Sequence, residues 1–416
     1  KADDIDSLTI LLKLVEPGYP ADNKAQILSG LDRQWWQALL AEAERQSVTP
    51  FLYAALARLE REHSLDFPNR DKLYQSYVIN AGRNTLIMHD AEILLSSLKK
   101  AGIAAVGLKG VYLLENVYEN IGARSMNDID ILVKKQDLAG AMEVLKGLGY
   151  QATTYFDLED ENVDTKHVPP MQKTGGALVE VHWTLLEEDE PFTIDAAALW
   201  ERVEPAAIAG VDALTLGIED LILHLSLHLT YQHYLQLGLR GLLDIALVID
   251  KFKEEIDWQL LVQIAKTWGA ERVTAITLKL VETQLKVPIP PEVYGGLLPE
   301  PLSPDLLENA RGVLLDRERL MSLTPDLVEM NASKSVFSKL RIGLERIFIP
   351  RIDLARIYNI PPDSIKVFGF YWVRLKYLFR NYWGTVRRLW SDRHSSQPAL
   401  EKAKTSYSLH DWMSER

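Results

Sequence analysis

The 416-residue sequence predicts an α+β fold, with a small α/β core set between helical regions. Three features predict it. Apolar residues recur at the helical period up to about Lys100. Short apolar runs of strand length, bounded by glycine, follow between about 101 and 185, and helical spacing returns from Gly217 onward. The length asks for two or three structural units. Boundaries are expected at 1–100 (N-terminal helices), 101–215 (α/β core), 216–330 (helical domain) and 331–416 (a basic, aromatic helical region).

In the first region Trp35 to Leu40, Pro50 to Leu59 and Leu73 to Leu98 carry the helical pattern. Pro50 suits a first turn, where its missing N–H costs little. Ile103 to Leu108 then reads as a strand, Val111 to Tyr118 as a helix, and Ile129 to Val133 as the clearest strand, rich in β-branched residues. Asp137 is placed to cap a helix that Gly149 ends. Strands are expected over Tyr150–Phe156 and Ala177–Thr184. Helices follow at Ile218–Thr230, Leu237–Ile249, Trp258–Trp268, Ala270–Leu285 and Val367–Trp390, with proline-marked loops at Pro288–Pro291 and Pro299–Pro304.

Composition narrows the function classes. An apolar fraction of 47% and a charged fraction of 25% are those of an ordinary globular protein. With no cysteine there is no disulfide framework and no thiolate metal site, which suits a reducing cytoplasm. The start, Lys-Ala-Asp-Asp, lacks a basic-then-apolar signal pattern, and no apolar run is long enough to span a membrane. A cytoplasmic protein is expected, with peripheral membrane contact left open. A net charge of −12 argues against broad nucleic-acid binding. The charge is uneven, because Asn331–His394 holds about thirteen Lys/Arg against about four Asp/Glu. Such a segment suits an anionic partner or simply a solvated helical face.

The chemistry centres on Asn127-Asp128-Ile129-Asp130. On a strand, Asp128 and Asp130 point to one side and Ile129 to the other. Two converging carboxylates repel unless a cation lies between them, and oxygen ligands select a hard ion such as Mg²⁺. About twenty residues upstream, Leu108-Lys109-Gly110 ends a strand and opens a helix. That arrangement offers backbone N–H groups and a positive charge to a phosphate. Arg124 supplies a planar fork for the same purpose. Lys109 and Arg124 suit equally well an ion pair with the carboxylates. About fifty residues downstream, Val179-Glu180-Val181-His182 alternates so that Glu180 and His182 share a face, and Glu180 would be a third acid for a two-metal site.

Leu108-Lys109-Gly110, Arg124 to Val133, Leu148-Gly149-Tyr150 and Val179 to Trp183 together resemble the uncharacterised bacterial nucleotidyltransferase family, a branch of the polymerase-beta-like superfamily. The likeness is strongest from about 100 to 250, and a weaker likeness includes Asp353 to Tyr358. The resemblance implies a small mixed β-sheet core and transfer of a nucleoside monophosphate from a nucleoside triphosphate, with release of pyrophosphate. The acceptor would be a hydroxyl or phosphate of a sugar, small molecule or protein. It further implies that Asp128, Asp130 and Glu180 hold Mg²⁺ or Mn²⁺ and that Lys109, Gly110 and Arg124 receive phosphates. His167 and His182 would contact the nucleotide or serve as a base. One departure stands out: the superfamily's Gly-Ser or Gly-Gly is replaced by Gly110-Val111, farther from the acids than usual. A binding or antitoxin-like module that keeps the fold without turnover is therefore a second reading. A sugar transferase using Asp-X-Asp is a third, though it does not call for the upstream Lys-Gly or the third acid.

His224 and His228 stand one turn apart with no third ligand evident, which favours a packed pair lining the cleft over a zinc site. Arg240 and Asp244 share that spacing and read as an ion pair or as an acceptor-binding element. Phe368 to Arg380 is aromatic and basic, and suits an anionic membrane surface or packing into the helical domain.

Overall fold

The computed structural model describes residues 6–63, 67–118, 120–154, 166–315 and most of 348–415. A seven-stranded mixed sheet runs β1 (Val106–Gly107), β2 (Asp128–Leu132), β3 (Gln151–Ala152), β4 (Met171–Gln172), β5 (Leu178–His182), β6 (Glu204–Ile208) and β7 (Val211–Thr215). Its spatial order is β3-β4-β5-β2-β1-β7-β6. Helices precede it and follow it, so the α+β expectation holds.

The centre of the sheet is the parallel pair β2 and β5, with Asp130 opposite Glu180 and Leu132 opposite His182. Alternation sends Ile129, Ile131, Val179 and Val181 to the other face, where all four are fully buried. One apolar core runs from Ile10 to Met413 and joins the sheet to helices from both ends of the chain.

Most expected elements appear, some shifted. The helix Trp258–Trp268 has the expected bounds and closes on Gly269 in a left-handed conformation. The helix Leu138–Gly147 is preceded by a 3₁₀ turn at Lys135–Asp137, and the Asp137 side chain makes no capping bond. The strand after Gly149 is only Gln151–Ala152. The expected strand is cut short, because Thr153 and Thr154 form a bend, while Tyr155 and Phe156, the first part of the basic C-terminal region (331–347) and half of the Asp353–Tyr358 likeness lie outside the described residues. Strands β4, β6 and β7 and the helices Pro304–Leu315 and Arg393–Ser414 were not expected. β6 and β7 form a hairpin whose turn residues, Ala209 and Gly210, both have positive φ, as a two-residue turn matched to strand twist requires.

The expected helix from Ile218 stops at Ser226, and Leu227–Gln232 continues as a π-helix. Its i→i+5 bonding brings residues four and five apart onto one face, so His228, Gln232 and His233 share a wall. The chain leaves through Tyr234 and Leu235, both left-handed without being glycine. Such strain persists only where packing over-determines it.

Candidate active site

A cavity of about 390 Å³ lies between the acidic face of β2 and β5 and the helices that follow the sheet. Asp128, Asp130 and Glu180 line it, as do Lys109, Gly110, Arg124 and His167. Seven of the eight residues singled out from the sequence therefore meet in one place. The eighth, His182, is buried immediately behind, with Nε2 3.1 Å from Asp130 Oδ1.

The three acids differ in their surroundings. Asp130 is 4% exposed. Its Oδ1 accepts from Lys109 Nζ at 3.0 Å and from His182 Nε2 at 3.1 Å, while Oδ2 accepts no hydrogen bond among the described residues. Burial alone would raise its pKa, but Lys109 and His182 overcome that and hold the carboxyl well below its ordinary range. Asp128 accepts no hydrogen bond from a described residue. Burial and the neighbouring Asp130 charge push it up to about 6. Glu180 lies 3.7 Å from His182 and 3.9 Å from His167, and the His182 contact lowers its pKa. Ligand atoms of Asp130, Glu180 and His182 lie within 4.8 Å of one another, close enough to share an ion. Since His182 Nε2 must carry its proton to bond Asp130, it positions that carboxylate better than it could ligate.

Backbone pairing brings in the remaining groups on this side. Val168 N donates to Val181 O and Trp183 N to Lys166 O, so the 166–168 segment runs antiparallel along the end of β5. Lys166 and His167 thereby reach the cavity. His167 Nδ1 lies 2.7 Å from the Val168 carbonyl, which can only accept. The proton therefore sits on Nδ1, and Nε2 keeps a lone pair toward Glu180. Burial, with His182 next, lowers its pKa and keeps the ring neutral.

Arg124 is placed differently from a phosphate fork. Its Nε and Nη2 grip Asp244 at 2.8 and 2.9 Å, and Tyr118 Oη donates to the same carboxylate at 2.6 Å. Asp244 thus turns to Arg124 and not to its helix neighbour Arg240, which settles the ion-pair question of the helix in favour of a long-range pair. The loop before Asp128 is pinned as well, since Asn80 and Asn84 on the helix Arg70–Lys100 both donate to Arg124 O. Gly110 serves close packing, because a Cβ there would meet Met126 Sδ at 2.8 Å and Arg124 Nη1 at 3.0 Å. Lys109 itself has φ +42°, a strained opening to its helix.

Two cations were missed or left undecided by sequence reasoning. Arg240 lines the cavity and donates to Ser125 O at 3.2 Å; burial, with Arg124 next, lowers its pKa. Lys166 lies 4.0 Å from Glu187, and its pKa is lowered by burial and by Lys109. Among the described residues Arg240 forms no salt bridge and Lys166 a long one to Glu187, and both stand on the wall of a cavity that also holds carboxylates.

His224 and His228 stack at 6.2 Å, His228 meets His233 edge-on at 4.4 Å, and none of them joins a metal-capable group among the described residues. Burial, reinforced by Lys109, depresses His224 and His228 well below the usual range and His233 to about 4. Folded-state pKa values below the unfolded 6.5 mean stability that is present above 6.5 and is lost as pH falls toward 4. Asp128, raised to about 6, has the opposite sign within this window, whereas His167 and His410 are lowered in the same direction as the three. The urea midpoint is therefore expected to fall on acidification from about pH 7 to about pH 5, with a shallower fall in His233→Gln. A flat midpoint across that window would contradict the histidine assignment.

A search of curated proteins and one of solved structures each find no match. The model of a family described as "Uncharacterised nucleotidyltransferase" matches residues 32–286, which spans the sheet, all three acids and the cavity-lining helices. That stretch is more than half of the chain, and the protein belongs to the uncharacterised nucleotidyltransferase family.

Proposed function

We propose that the protein transfers a nucleoside monophosphate from a nucleoside triphosphate to a hydroxyl or phosphate acceptor, using divalent metal held by Asp128, Asp130 and Glu180. We read it as a cytoplasmic enzyme of the polymerase-beta-like superfamily. One observation carries the proposal: three carboxylates on paired parallel strands face a cavity whose other wall offers cations.

The donor set fits a hard divalent cation. Asp130 Oδ2 is without a hydrogen bond among the described residues, Asp128 is a carboxylate that burial and Asp130 make costly to ionise, and Glu180 lies beside them. All three offer oxygen, which suits Mg²⁺ or Mn²⁺. When bound, such ions neutralise the triphosphate and the developing charge on the leaving pyrophosphate. Lys109 and His182 hold Asp130 by one oxygen and orient the other.

Arg240 and Lys166 are assigned to the triphosphate, in place of Arg124, whose fork Asp244 already fills. The acceptor oxygen bonds to the α-phosphorus as the bond from that phosphorus to the bridging oxygen breaks, and pyrophosphate leaves. His167 Nε2 is suited to take the acceptor's proton, being neutral and hydrogen-bonded through Nδ1 in the correct tautomer. A second reading, a nucleotide-binding module without turnover, draws on the Lys109–Asp130 contact, which supplies a cation to the buried acid without any metal.

The direct test incubates the full chain with each labelled triphosphate and Mg²⁺ or Mn²⁺ and reads pyrophosphate release or self-labelling. Tight nucleotide binding with no pyrophosphate across a broad panel of acceptors would favour the module. Once turnover is seen, Arg240→Ala is expected to raise KM for the triphosphate by on the order of tenfold or more, the loss of a charge-assisted contact. An unchanged KM would remove Arg240 from the nucleotide site.

A further inference from the structure

The helix Lys366–Ser391 has two dissimilar sides over its described first half. Inward, Val367 is fully buried, Phe370 stacks on Tyr358 at 4.5 Å, and Tyr371 Oη donates to Ile349 O at 2.8 Å. Outward, Phe368 is 62% and Trp372 64% exposed, one turn apart on the same side, and Ile365, just before the helix, is 85% exposed. Exposed Lys376 and Arg380 continue the same stripe at four-residue spacing. Residues 364–391 contain no Asp or Glu, in a chain whose net charge is −12.

A face that mixes large apolar side chains with cations and excludes anions is costly to leave in water and poorly matched to the rest of this acidic protein. It suits the headgroup region of a bilayer, where aromatic rings sit at the interface and Lys and Arg reach anionic lipid. The stretch from Ile365 to Arg380 is about 24 Å long, enough to lie in that plane. No helix among the described residues is long and apolar enough to cross a membrane. The acidic remainder would be repelled by an anionic surface, so electrostatics would favour presenting this face.

We propose that the outer face of this helix docks the protein on an anionic lipid surface, with Phe368 and Trp372 entering the interface and Lys376 and Arg380 meeting lipid phosphates or carboxylates. The proposal does not depend on the reading of the cavity. The adjoining helix Arg393–Ser414 returns to the core, where His410 stacks on Tyr231 at 4.0 Å and on Tyr234 at 4.5 Å. Those tyrosines flank Gln232 and His233 of the cavity wall, so a docked helix would sit one element away from the site.

Flotation of the full chain with vesicles of phosphatidylcholine alone, or with roughly one third phosphatidylserine, tests this. Binding is expected at least tenfold stronger to the anionic vesicles and weakened by salt. Phe368→Ser combined with Trp372→Ser, and separately Lys376→Glu combined with Arg380→Glu, should each lower it by about tenfold or more. The replaced residues are exposed, so an unchanged circular-dichroism melt is expected to exclude misfolding. Equal affinity for both vesicle types, or unaltered binding by both variants, would overturn the proposal. So would absence of binding to the anionic vesicles; self-association that the apolar variant abolishes would then assign the face to a second copy.

Discussion

Asp128→Asn is expected to lower nucleotidyl transfer by on the order of a thousandfold while leaving the urea midpoint unchanged or slightly raised. The two halves of that result have one cause. Asp128 accepts no hydrogen bond from a described residue, and burial together with Asp130 raises it to about 6. Its charge is therefore a cost to the apo fold, and an isosteric amide relieves repulsion without opening a cavity. Divalent metal, as proposed for this donor set, would offset that cost. Steady-state rates and urea titration on one preparation check both halves. Full activity in the variant would sink the role of Asp128.

Arg124→Ala and Asp244→Ala are each expected to destabilise the fold by about 3–5 kcal/mol, because each leaves a buried charge without its partner. The pair is 8% and 7% exposed, and Tyr118 completes the shell around Asp244. Burial alone would lower the Arg124 pKa, but Asp244 raises it past its ordinary value, so the guanidinium stays charged. The double variant should lose much less than the sum of the single losses, since neither charge is then stranded. Additive losses, or an Arg124→Ala variant of unchanged midpoint with only a raised KM, would restore Arg124 to phosphate binding. The pair also fixes the loop that leads into Asp128, so part of any loss of activity would reach the site through that loop.

Much of this was legible from residues close in sequence. Alternation in Asp-Ile-Asp and Glu-Val-His placed the acids and isoleucines on opposite faces, and the paired strands keep that arrangement. Trp258–Trp268 was legible in its helical pattern, and the structure adds the Asp257 cap and the left-handed Gly269 that fix its ends. The hairpin β6–β7 did not, because Glu-Pro-Ala-Ala-Ile and Val-Asp-Ala-Leu-Thr have little intrinsic strand preference. β7 is held by its parallel neighbour β1, a tertiary contact that overrides propensity. The same limit applies at the site. Register opposite Glu180, the grip of Arg124 on Asp244 from 120 residues away, and the reach of Lys166 along β5 depend on long-range pairing that no local motif encodes. The π-helical turn that gathers His228, Gln232 and His233 could not be read from a helical period, because it departs from that period. Arg240 had a visible signal, a basic residue on an apolar helix, but its neighbour Asp244 offered a local partner that the fold assigns elsewhere.

Anomalous diffraction from crystals grown with Mn²⁺ and a non-hydrolysable triphosphate addresses the metal site most directly. Manganese peaks are expected in contact with Asp128, Asp130 Oδ2 and Glu180, with the triphosphate reaching toward Arg240 and Lys166. Nucleotide bound in the cavity with no anomalous peak among these acids, and Lys109 still the sole cation at Asp130, would contradict metal-dependent transfer by this protein.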